Sequence, residues 1–171
     1  MNRRIILTLI TVLLLCLVPA NLHAQAKLAI YGAGGTEKSG LQHSGWNAAG
    51  IFGFYYGLRH FGPLDLSADV RGDLSSNIYS GVLGPRLAVK IPVVPTRPYG
   101  EFLFGESSYS TQSNGNRNAN DFTYRAVVGV DFTLIPHFDW RVVDYSYSSG
   151  ITHLNASVHP KTITTGFVIR F

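Results

Sequence analysis

Five histidines follow residue 26, His43, His60, His137, His153 and His159, and they are the first groups to test for metal or acid–base chemistry. No two of them stand at metal-ligand spacing on one strand-like segment, so no metal site is expected. Gly32-Ala33-Gly34-Gly35 is glycine-rich, but no helix pattern follows it, so a phosphate-binding loop is not expected either. Nothing in the chain calls for a cofactor. What remains is a set of spaced charges: Asp65, Asp69, Asp73, Glu101 and Asp131 against Arg71, Arg86, Lys90, Arg125 and Arg170. Five acids balance five bases. The chemistry open to such a set is mutual pairing, because charge held away from water is costly unless it is matched.

The elements that position these charges are strands. In Leu64–Arg71, the residues Leu64, Leu66, Ala68 and Val70 point one way, while Asp65, Ser67, Asp69 and Arg71 point the other. Phe122–Phe132 repeats the pattern, with Phe122, Tyr124, Ala126, Val128, Val130 and Phe132 on one face and Arg125, Gly129 and Asp131 on the other. Period-two segments bounded by turn signals predict eight strands, near 27–35, 46–58, 64–73, 80–91, 98–109, 121–134, 138–147 and 161–171. Two segments are irregular. Arg141 and Asp144 fall on opposite faces of strand seven unless a bulge intervenes, and Glu106 shares a face with Phe102 and Phe104, which suits a position near a rim.

The first residues are a separate signal. Arg3 and Arg4 precede an apolar run from Ile5 to Val18, Pro19 breaks it, and Ala24 or Ala26 offers a cleavage point. This reads as a secretory signal peptide over residues 1–24, with cleavage after 26 as the alternative. The run is too short for a membrane-spanning helix, which takes ~20 residues. The domain is then 25–171. It keeps no cysteine, since Cys16 lies in the apolar run. Removing Arg3 and Arg4 leaves 12 basic against 10 acidic residues, too even a balance for a nucleic-acid binder. The chain's 18 Gly, 9 Tyr and 10 Phe favour strands over helices.

The connections after strands two, four and six are tight or proline-marked, whereas those after one, three, five and seven are mostly longer and polar. An up-and-down barrel in an outer membrane has this asymmetry, with short periplasmic turns and longer outer loops. The expected fold is therefore all-β, an eight-stranded antiparallel up-and-down transmembrane barrel. Its apolar faces would meet lipid. Asp65, Asp69, Arg71, Arg86, Lys90, Glu101, Arg125 and Asp131 would form a charge network in the lumen, with Asp73 and Arg170 near the rims. Phe138, Trp140 and Phe171 would mark the periplasmic interface, and Tyr79, Tyr109 and Tyr147 the outer one. The competing soluble architecture is a lipocalin-like barrel, faintly suggested by Gly45-Trp46, whose apolar face would line a ligand cavity.

The chain closes on Thr164-Thr165-Gly166-Phe167-Val168-Ile169-Arg170-Phe171. This resembles the terminal strand signal of bacterial outer-membrane proteins, with Thr164 as the polar residue, then Gly166, Ile169 and the final Phe171. The resemblance implies recognition by the barrel-assembly machinery. With eight strands before it, the chain is similar to the small barrels of the outer-membrane-protein-A-like superfamily, as a barrel alone without a peptidoglycan-binding domain. That resemblance implies an outer-membrane location, lipid as the surrounding partner, and a structural or surface-interaction role through loops 36–45, 74–79, 110–120 and 148–160, whose ligand is not legible. A lipid-modifying enzyme on the same barrel is the alternative. Its deacylase form would need His-any-Ser, and the nearest case, His43-Ser44, places the two side chains on opposite faces. The expected protein is not an enzyme. Deleting Phe171, or changing Gly166 and Phe171 together, should leave export intact and lower the heat-modifiable fraction in membranes. Unchanged folded levels in both variants would remove any role for the signal.

Overall fold

The computed structural model describes residues 28–38, 45–75, 78–111, 117–150 and 159–171, with no side-chain description for 109–111 and 117–120. The apolar N-terminal run lies outside the described residues, as do His43 and His153. Eight strands follow one another: β1 (Leu28–Lys38), β2 (Trp46–Phe61), β3 (Leu64–Ser75), β4 (Ile78–Val89), β5 (Thr96–Thr111), β6 (Arg117–Ile135), β7 (Phe138–Gly150) and β8 (Lys161–Arg170). Each pairs antiparallel with its neighbour in sequence, and β1 pairs with β8 from Ala29↔Arg170 to Lys38↔Lys161, which closes the barrel. Closure leaves no strand with an unpaired edge.

Alternation decides which face is which, and it runs inside-out relative to a soluble barrel. Leu83 is 64% exposed, Val128 58% and Phe52 53%, all on the outer surface. Arg71, Arg125 and Arg141 are 0–1% exposed inside. A lipocalin-like barrel requires the reverse arrangement. The interior is not wholly polar, however. Ala29, Tyr31, Ile51, Tyr55 and Val168 pack as one apolar cluster, and Val82, Ala88, Tyr99, Leu103 and Val127 as another.

The short ends are made by turn chemistry. Gly62, at φ 60°, and Pro63 join β2 to β3. Pro136 and His137 join β6 to β7, and His137 sits at φ 71° without being glycine. Its strain is offset by two bonds to β8: Arg170 N donates to His137 O at 2.8 Å, and His137 Nδ1 lies 3.0 Å from Arg170 O. At the opposite end the strands run further than their sequence pattern suggests. β3 reaches Ser75 and β4 begins at Ile78, so the expected 74–79 loop is mostly strand.

Strand seven contains a bulge, which settles the facing that its sequence leaves open. Against β8 the register is Gly166 to Arg141, then Thr164 to Asp144, so β7 holds one extra residue there. β6 registers the same shift between Val130 and Asp131. Val142 and Val143 therefore both turn away from the lumen, and Arg141 and Asp144, three residues apart, both point into it. Glu106 lies on the exposed face with Phe102 and Phe104.

Two glycines make room for lumen tyrosines. A Cβ on Gly53 would strike the Tyr31 ring, and one on Gly129 the Tyr99 ring. Gly129→Val should therefore displace Tyr99 and lower stability by about 1–3 kcal/mol, measured as the urea midpoint of refolded protein. Gly34→Ala, where a Cβ would meet nothing within 4 Å, is the control and should barely move the midpoint. Equal shifts for the two variants would contradict this packing.

Candidate functional site

The middle of the lumen is one connected set of tyrosines, arginines and carboxylates. Tyr31 on β1 donates to Asp69 Oδ1 on β3 at 2.8 Å. Arg71, two residues along β3, donates to Glu101 Oε2 on β5 at 3.2 Å and to Asp144 on β7. Its Nε also lies 3.7 Å from Asp73 Oδ1. Asp144 accepts from Tyr99 Oη at 2.6 Å and lies 3.4 Å from Arg141 Nη1. Asp131 on β6 accepts from Arg86 Nη2 at 2.9 Å and from Arg141 Nε at 3.0 Å, so both its oxygens are used. Arg86 Nε stands 3.2 Å from Glu101 Oε1, its partner in register across β4 and β5, as an ion pair without hydrogen-bond alignment.

Two of the guanidinium groups lie over rings. Arg86 lies 4.2 Å from the Tyr55 centroid and 4.3 Å from that of Tyr99, and Arg141 lies 4.2 Å from Tyr31. Each such contact adds a cation–π attraction that is strongest where water is excluded. Nearer the long-loop end, Arg125 pairs with Asp73, donates from Nε to Ser148 Oγ at 2.8 Å and meets Ser80 Oγ at 3.0 Å. Nearer the short turns, Arg170 Nη2 donates to Asp139 Oδ1 at 2.6 Å.

Of the charges singled out from sequence, Asp69, Arg71, Arg86, Glu101, Arg125 and Asp131 are brought together in the interior, with Asp73 beside them. Two are not. Lys90 lies one residue past the end of β4 and is exposed, because the strand stops at Val89 ahead of Pro92. Asp65 is only half-buried and faces His60 across the β2–β3 turn instead of the central network. Sequence reasoning left out Tyr31, Tyr99, Glu37, Asp121, Asp139, Arg141 and Asp144, all buried. The last two are hidden by the β7 bulge. The tyrosines read as ordinary aromatics because their hydroxyl partners come from distant strands.

One cavity of about 790 Å³ opens at the short-turn end. Its lining reaches inward to Arg86, Tyr55 and Ser67, while Tyr31, Asp69, Arg71 and Glu101 take no part in it. On β8, Thr164 is buried facing inward, while Ile169 and Phe171 are exposed on the outer face. Gly166 sits where a Cβ would meet Gly32 O and Ala33 across the β1–β8 seam. Its smallness thus serves closure itself, and deletion of Phe171 alone is the cleaner probe of recognition.

No protein-family model and no curated protein sequence matches the chain. Solved structures do. Neisserial surface protein A is similar over 85% of this chain and 97% of its own, at 13% identity and a TM-score of 0.58. The fold is that of the small outer-membrane barrels. The N-terminal β-barrel domain of OprF from Pseudomonas aeruginosa aligns over 86% of this chain and all of its own, at 10% identity and a TM-score of 0.54. A major outer membrane protein from Thermus thermophilus aligns over 86% and all of its own, at 12% and 0.53.

Arg71 meets three carboxylates and takes no part in the lining of the short-turn cavity, whereas Arg86 borders its open space. Arg71→Met should therefore cost ~3–5 kcal/mol, the usual loss when a buried partner is removed, and Arg86→Met less, because water can reach the stranded carboxylates. In Arg71→Met/Asp144→Leu the losses should be less than additive. Urea unfolding in detergent or lipid vesicles reads all three. Strict additivity, or a larger loss at Arg86, would contradict the network as described.

Proposed function

We propose that this chain is an exported, integral outer-membrane barrel with a plugged lumen, serving a structural or surface-interaction role through its long-loop end and not catalysing a reaction. The carrying observation is the inversion of the barrel: an apolar exterior and an interior of paired charge suit lipid as the outer solvent. The fold it shares with a neisserial surface protein supports the surface role. Insertion would proceed through β8, whose outward Ile169 and Phe171 present the terminal pattern to the assembly machinery, and the N-terminal apolar run would direct export. The groups able to act as acid or base in mid-lumen, Asp69, Glu101, Asp131 and Asp144, already hold tyrosine or arginine partners, which supports a holding role over a chemical one.

A filled eight-stranded interior leaves no wide aqueous path. The protein should therefore fractionate with outer membranes, require detergent for extraction, shift mobility on heating, and pass little or no steady current in planar bilayers. Recovery as a soluble periplasmic monomer would overturn the membrane reading. Large steady currents from the folded protein would overturn the plug.

A further inference from the structure

The cavity at the short-turn end is lined unevenly. Arg86, Lys90, Arg97 and Arg170 contribute four permanent cations, His60 and His137 stand among them, and Asp65 is the carboxylate side chain in the lining. Most of these charges are already matched. Arg86 has Glu101 and Asp131, Arg170 has Asp139, and Asp65 faces His60. Lys90 and Arg97 have no ion pair among the described residues. Their direction follows from parity: Lys90 continues the inward face of Arg86 and Ala88, and Arg97 that of Tyr99 and Glu101. Arg97 stands in register with Asp131, but both oxygens of Asp131 already accept from Arg86 and Arg141. Asp139 and Asp65 act on Arg97 from beyond ion-pair distance, so the fold aims two cations without an ion pair into a concave space with Arg86 at its floor.

We propose that this cavity binds a phosphate ester. A guanidinium matches the oxygens of phosphate with paired donors, and an ammonium adds a compact charge beside it. The rest of the lining suits the organic part of such an ester. Leu28, Leu66 and Ala88 give it apolar wall, and Phe171, 61% exposed, sits at the lip where the cavity meets the apolar exterior. A soluble phosphate ester and the phosphate of a lipid headgroup share this chemistry.

The test uses the full chain refolded in detergent, titrated calorimetrically with glycerol 3-phosphate at low ionic strength. Saturable binding is expected, weakened at least tenfold in Arg97→Gln and in Lys90→Gln, weakened by added salt, and tightened in Asp65→Asn. Heat-shifted gel mobility confirms that each variant is folded, and neither Lys90 nor Arg97 belongs to the central network. Retention of phosphatidic acid over phosphatidylcholine by the wild type in native mass spectrometry, lost in the Arg97→Gln chain, would identify a lipid source. Glycerol 3-phosphate binding without such retention would identify a soluble one. Absence of saturable binding to wild type, or equal affinity in folded Arg97→Gln and Lys90→Gln, overturns the proposal, and neither result bears on whether the barrel sits in a membrane.

Discussion

A guanidinium keeps its charge wherever it is placed, and among the described residues four are buried inside the barrel, Arg71, Arg86, Arg125 and Arg141. Everything else in the lumen answers that constraint. Carboxylates must stand within reach from several strands at once, which only a closed barrel can arrange. Rings lie beneath the guanidinium groups of Arg86 and Arg141, and glycines stand opposite Tyr31 and Tyr99. The outer face left by the same alternation can then be largely apolar, with Glu106 beside Phe102 and Phe104 as an exception. The two faces are one solution to a single problem, since the strands sort their side chains by parity, corrected in β7 by a bulge.

Much of this was legible because parity is a local property. Asp69 and Arg71 lie two apart on β3, so any reader of alternation places them together, and the same holds for Arg125 and Asp131, six apart on β6. Legibility fails where parity is broken or ends. Arg141 and Asp144 are three apart, and only the partner strands show that Val142 and Val143 share an outward bulge. Lys90 continues the parity of Arg86 past the point where pairing stops, so it keeps the direction and loses the enclosure. The connections were legible for a different reason: Gly62-Pro63 and Pro136 announce turns by residue type, although the positive φ of His137 is not one its type dictates. Partner choice was not legible beyond register neighbours. Arg86 and Glu101 face each other across adjacent strands, but Arg71 reaches Asp144 across the barrel, and no spacing in sequence encodes that distance.

Volume is handled as strictly as charge. Eight strands enclose space that side chains can fill, and three tyrosines do much of the filling, each serving as packing mass and, for Tyr31 and Tyr99, as a hydroxyl donor. At the short-turn end the filling gives way to the cavity floored by Arg86.

The bond from Arg71 to Asp144 joins β3 to β7, and that from Tyr31 to Asp69 joins β1 to β3. Neither pair is adjacent in the sheet: the second bridges two strands that share β2, while the first reaches across the lumen and is made as the barrel curls toward closure. Interactions that form after the folding barrier is crossed do little for the rate of assembly and act mainly to slow its reversal. On that account the cross-lumen pairs would act as a latch: with β1 and β8 joined, opening the barrel requires several buried charges to be parted together, which would be felt in the rate of opening more than in the rate of assembly.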